Sequence, residues 1–148
     1  MADVLFYHLE NQPLERVAPI LLEKTLERGW KAVVEVGSTD RAEALDRALW
    51  TYRDDSFLPH GLAGGEFDAD QPILITTGPE NANGAEVRFF TDRAVPQTSD
   101  GYQRIVYLFS GHDPDAVTEA RTAWRALREG NEVTYWQQDE NGRWAKRG

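Results

Sequence analysis

The 148-residue chain sets 25 Asp and Glu against 16 Lys and Arg, a formal net charge of −9, and has no cysteine. That length suits one domain, residues 1–148, burying about 68–70% of its unfolded surface, and the missing thiols exclude disulfides and thiolate metal sites. The acidic balance argues against a domain that grips nucleic acid itself, because such domains gather Lys and Arg on one face to displace phosphate counterions.

The chain opens on Met1-Ala2-Asp3 and enters an apolar run at once, without the basic start of a secretory signal. No apolar stretch approaches the ~18–20 residues of a membrane span, so the expected address is the cytoplasm. Val4 to Leu9 reads as a strand buried on both faces. Pro13 suits the first turn of a helix, whose inner stripe is Leu14, Val17, Ala18, Leu21 and Thr25 and whose end is Gly29. Lys31 to Val36 reads as a second buried strand. Gly37-Ser38-Thr39-Asp40 then turns into a second helix, with Asp40 and Glu43 spaced as a capping pair and Ala42, Leu45, Ala48 and Leu49 facing inward. From Thr51 to Gln71 there is no period, which predicts a long surface loop.

Pro72 to Thr76 and Glu86 to Phe90 read as strands, and Asn83-Gly84 between them suggests an antiparallel or loosely connected pair. Arg104 to Phe109 is another apolar strand. Asp113-Pro114 provides an N-cap and first position for a long helix ended by Gly130, and Glu132 to Gln137 forms a last strand. Arg143, Lys146 and Arg147 make a basic tail expected to be solvated and frayed. Strand–helix alternation predicts an α/β fold: a three-layer α/β/α domain with a mostly parallel central sheet, of the kind seen in mononucleotide-binding proteins.

Two places carry candidate chemistry. On the last helix Ala116, Ala120, Ala123 and Leu127 form a small-residue stripe for packing on a sheet. Val117, Arg121, Trp124 and Arg128 repeat the spacing one residue later, about 100° around the helix. Two guanidiniums and an indole do not belong in a core, whereas together they suit a carboxylate and an apolar side chain. The bland reading sets Trp124 beside the core with the arginines solvated. Trp50 at the end of the second helix, with Phe57 in the following loop, either roofs the core or walls a pocket for a partner's side chain.

His8, His60 and His112 follow no metal-ligand spacing, and no nucleophile arrangement accompanies them. His60, between Pro59 and Gly61, reads as a loop anchor bonding backbone groups. Gly37-Ser38-Thr39 could place amides near a phosphate, but without a G-x-G-x-x-G or G-K-[ST] pattern it reads as a capping turn. Neither a cofactor nor a metal is expected. The competing function is a small-molecule or nucleotide-binding α/β protein, possibly an enzyme, using that turn and the His60 loop.

Taken in order, several fragments resemble the chi subunit family of bacterial DNA polymerase III. They are Phe6-Tyr7, Leu45-Asp46 with Leu49-Trp50, Ser56-Phe57-Leu58-Pro59-His60, Gln71-Pro72-Ile73-Leu74, Leu108-Phe109, Ala120-Arg121 with Trp124, Tyr135-Trp136 and Gly142-Arg143-Trp144. The resemblance implies a non-catalytic accessory subunit of the clamp loader. Such a subunit binds the acidic C-terminal tail of single-stranded DNA-binding protein, joins a psi subunit or another clamp-loader subunit, and meets DNA only indirectly. It also implies that Trp50 and Phe57 line the apolar pocket, with Trp124 on the neighbouring helix, and that Arg121 meets the terminal carboxylate. Val117 stands where the family pattern places a basic residue, which leaves carboxylate binding to Arg121, with Arg125 or Arg128 in support.

Overall fold

In the computed structural model, residues 3–10, 13–51, 58–91, 94, 101–138 and 143–146 are described. The chain starts in the interior of the sheet. Strand β1 (Asp3–Leu9) is followed by helix α1 (Leu14–Glu27), β2 (Ala32–Glu35), α2 (Thr39–Trp50), β3 (His60–Leu62), a 3₁₀ turn at Asp68–Asp70 and β4 (Ile73–Thr76). Then come β5 (Val87–Phe90), β6 (Arg104–Ser110), α3 (Pro114–Leu127), β7 (Glu132–Gln138) and β8 (Trp144–Lys146). The eight strands lie in the order β3-β4-β2-β5-β6-β1-β7-β8, all parallel except the last pair. This is the expected three-layer α/β architecture.

Strand alternation sorts the core into two layers. On one face α1 and α2 bury Val17, Leu22, Leu45 and Leu49 against Val34, Ile75, Phe89, Val106 and Leu108. On the other, α3 buries Ala116, Ala120, Ala123 and Leu127 against Phe6, Phe90, Ile105, Tyr107 and Phe109. Successive β6 residues thus face opposite helices, as period-two side chains on a doubly covered sheet must.

Several expectations change in detail. Pro13 is the N-cap of α1 and not its first residue, and Pro19 is buried inside that helix. Leu22, and not Leu21, fills the innermost position there, because the stripe turns once Pro19 joins it. Ser38 caps α2, its Oγ accepting from the Arg41 amide at 3.3 Å, so the Asp40–Glu43 capping pair does not form. A serine one residue before the helix has the extended backbone a cap needs; Asp40 is already helical. The region read as one long loop contains β3, paired in parallel with β4.

β4 and β5 do not pair with each other; each lies parallel to β2, on opposite sides. Asn83-Gly84 is therefore no hairpin turn. Gly84 does take φ of +63°, but the Asn83 side chain is buried and donates to the carbonyls of Ala32 (3.0 Å) and Gln71 (2.9 Å). Those bonds stitch the connection beneath the sheet. Trp144 to Lys146 pair with β7, so that stretch is not frayed; Trp144 sets its indole edge-on to Tyr7 at 5.1 Å.

Candidate functional site

Helix α3 carries the richest surface. Asp113 caps it, Oδ1 accepting from the amides of Asp115 (3.0 Å) and Ala116 (3.3 Å), with Pro114 next. Asn131 Nδ2 takes up the Leu127 carbonyl at the far end, and Gly130 leaves the helix with φ of +78°. Alanines on the inner stripe bring the helix close to the sheet. The neighbouring stripe then overhangs β1 and β7.

Beneath that overhang is a cavity of about 360 Å³, lined by Val117, Ala120, Arg121 and Trp124 from α3, His8 from β1, Phe109 from β6 and Tyr135 from β7. Its walls are rings. Trp124 meets Phe6 (5.5 Å) and Tyr135 (5.8 Å) edge to face, and Tyr135 stacks over Phe6 at 6.5 Å. His8 lies 4.9 Å from Phe109. Edge-to-face pairs of this kind fix ring positions, so the cavity is formed in advance of any ligand. Arg121 is exposed at its rim, and among the described residues no ion pair occupies it. Its charge reaches Tyr135: burial raises the Tyr135 pKa, Arg121 pulls it down and Glu10 pushes it up. The phenol therefore stays protonated at neutral pH and can donate.

The far wall is polar. Tyr135 Oη and His8 Nδ1 are 2.6 Å apart, and His8 Nε2 lies 3.2 Å from Glu10 Oε1 without the alignment of a hydrogen bond. Gln137 Nε2 donates to the same Glu10 oxygen at 2.8 Å, and His112 Nε2 approaches the Glu10 carbonyl at 2.6 Å. Burial lowers the His8 pKa, Glu10 raises it and His112 lowers it.

The expected site residues divide. Val117, Arg121 and Trp124 share the cavity. Arg128 caps the helix a turn further on, exposed and outside the cavity lining; Arg125 is also exposed. Trp50 is not with them: it ends α2, on the opposite face of the sheet, 57% exposed. It neither roofs the core nor walls this cavity. Phe57 lies outside the described residues. His8 and Tyr135 were not foreseen as cavity residues, since parallel strands 127 residues apart bring them together. The one sequence signal was a histidine near the end of the mostly apolar strand β1; Tyr135 lies in the middle of the more polar β7.

His60 anchors the β3 edge as expected, with Nδ1 2.6 Å from the Leu58 carbonyl and Nε2 3.2 Å from that of Asp46. Trp50 leans on its ring at 4.7 Å. The Gly37-Ser38-Thr39 turn borders only a small cavity of about 170 Å³, lined by Thr39, Glu43, Thr76 and Thr77 among others, below the ~300 Å³ of ordinary ligand sites. Nearby, Arg88 and Glu35 form a buried ion pair, and Arg88 also donates to the Gly78 and Glu80 carbonyls and to Tyr102 Oη. Among the described residues no cluster of His, Cys, Asp or Glu could hold a metal, and no helix is long and apolar enough to cross a membrane.

Fold and cavity together define an α/β domain with an aromatic-walled pocket and a cation at its mouth. Residues 1–134 match the family model described as DNA polymerase III chi subunit, HolC. The chain belongs to that family, which makes it a replication accessory subunit of the polymerase complex and not itself catalytic. It is 28% identical over 132 residues to the DNA polymerase III subunit chi of Pseudomonas aeruginosa, covering 87% of this chain and 91% of that one. The subunit chi of Haemophilus influenzae is 28% identical over 127 residues, 83% and 88% of the two chains. A probable subunit chi from Rickettsia prowazekii is 33% identical over 87 residues, 59% of this chain, and the match spans about half (53%) of that relative. A chain in the solved structure of the S. cerevisiae Dbp5 C-terminal domain bound to Gle1 and IP6 superposes with a TM-score of 0.57 over 91% of this chain and 90% of its own, at 10% identity, a likeness of fold alone.

Proposed function

We propose that the cavity under α3 holds the acidic C-terminal tail of single-stranded DNA-binding protein, and that the chain thereby couples that protein to the clamp loader through a psi subunit or another clamp-loader subunit. The observation that carries this is one cavity with Trp124, Val117 and Phe109 as apolar walls and Arg121 at its rim. An apolar last side chain enters among the rings while its free carboxylate meets the guanidinium fork. A volume of about 360 Å³ takes one such residue and part of the next, so the acidic residues upstream lie on the surface near Arg125 and Arg128. Trp50 is left out of this pocket by its position and belongs to another surface.

Titrating the full chain with the tail peptide tests the assignment. Arg121→Ala is expected to weaken binding by about 1.5–3 kcal/mol, the range of a charge-assisted contact. Unchanged affinity in that variant, with the wild type binding, would remove Arg121 from the site. The nucleotide-binding reading finds less support, because the cavity at the helix turn is small and Arg88 already occupies the neighbouring strand ends.

A further inference from the structure

The cavity has a wall that a simple apolar socket does not need. His8 projects from β1 toward α3, and the chain makes room for its ring: a Cβ built on Gly111 would stand 2.0 Å from Nε2 and 2.4 Å from Cδ2. A side chain at position 111 would therefore have to displace the His8 ring. The imidazole is also oriented. With the proton on Nε2, which has the Glu10 carboxylate 3.2 Å away though not aligned for a hydrogen bond, the bare Nδ1 accepts from the Tyr135 hydroxyl. In this state the hydroxyl hydrogen points away from the ligand space.

Protonation reverses the arrangement. A charged His8 donates from Nδ1 to the Tyr135 oxygen, and the freed hydroxyl hydrogen can turn toward an acceptor in the cavity, where the Arg121 charge is already felt. The groups facing His8 are Glu10 just beyond its own strand, Tyr135 on β7, His112 in the loop before α3 and Arg121 across the cavity. Glu10 favours the charged imidazole. His112 opposes it.

Building on the tail-binding reading, we propose that His8 is the specificity-determining residue of this pocket: a carboxylate-ended peptide binds together with a proton on His8, and the Tyr135 hydroxyl becomes its second donor. A ligand carboxylate in the cavity adds an attraction to the charged imidazole, so binding raises the His8 pKa. Affinity then grows as pH falls through the histidine range and levels off above it. Each pKa unit gained on binding corresponds to about a tenfold gain in affinity.

The test follows the His8 imidazole proton by NMR from about pH 5 to 8, in the full chain alone, with the acid-ended tail peptide and with its C-terminal amide. The acid-ended peptide is expected to move the His8 titration up, the amide to leave it in place, and calorimetry to show several-fold tighter binding at the acid end. In His8→Leu that pH dependence vanishes. A bound acid-ended peptide that leaves the His8 titration unmoved overturns the inference while the tail reading survives. An amide that shifts it equally overturns it too. Failure of the peptide to bind at any pH overturns both. The NMR measurement uses the wild-type chain, so it decides the matter even if His8→Leu does not fold.

Discussion

His8 illustrates how one residue can serve binding at the expense of stability. Burial, the largest influence, lowers its pKa; Glu10 raises it and His112 lowers it. In the unfolded chain its pKa is about 6.5. Because the folded value is lower, the unfolded state binds more protons in the window below about 6.5, and stability falls as pH drops through that window until the folded value is passed. His8→Leu is therefore expected to gain stability relative to wild type as pH falls, read as converging or crossing urea-denaturation curves; a constant difference across pH 5 to 7.5 would contradict the linkage. Arg88 presents the opposite case. It is 2% exposed and bonded to Glu35, two backbone carbonyls and a tyrosine. Arg88→Met strands the Glu35 carboxylate, with an expected loss of about 3–5 kcal/mol, and adding Glu35→Gln should restore part of it. A loss under about 1 kcal/mol in the single variant would show that water reaches the pair.

At the scale of elements, α3 joins a strong cap to a binding face without making one depend on the other. Asp113→Ala removes the acceptor for two first-turn amides and is expected to cost about 1 kcal/mol in thermal or urea unfolding. Arg121 lies two turns on, so tail affinity should hold; a parallel loss of affinity would mean that the first turn positions the guanidinium. This helix was legible in the sequence because its two stripes follow from the 3.6-residue period alone. The cavity it overhangs was legible by half. Val117, Arg121 and Trp124 share one helix face, whereas His8 and Tyr135 come from strands whose adjacency depends on the order of the whole sheet. The same limit explains the misplaced Trp50. Local pattern put an aromatic at the end of α2, but the side of the sheet on which that helix packs is settled by its connections. β3 escaped notice because three residues, one of them glycine, offer no period, and the Asn83-Gly84 pair misled because a buried asparagine amide can replace a turn.

Over the whole molecule, the two aromatic surfaces lie on opposite faces of the sheet. The pocket of α3 is on one, and exposed Trp50, which packs on His60 of β3, is on the other with Leu62. Trp50→Ala is accordingly expected to leave tail affinity unchanged within error in the same calorimetric titration; a loss of 1 kcal/mol or more would bring Trp50 back to the tail site. Charge acts at this scale too. A chain of net charge −9 repels an acidic peptide at long range, while Arg121 attracts it at contact. Raising salt from about 0.1 M to 1 M shortens the Debye length from about 10 Å to about 3 Å, which screens the distant repulsion more completely than the contact pair. Association is therefore expected to hold steady or quicken with salt while dissociation quickens more, so that affinity falls through the off-rate. Stopped-flow mixing with a labelled tail peptide separates the two rates. An on-rate that drops steeply with salt would mean that the basic residues around Arg121 steer the peptide from a distance, against the field of the chain as a whole.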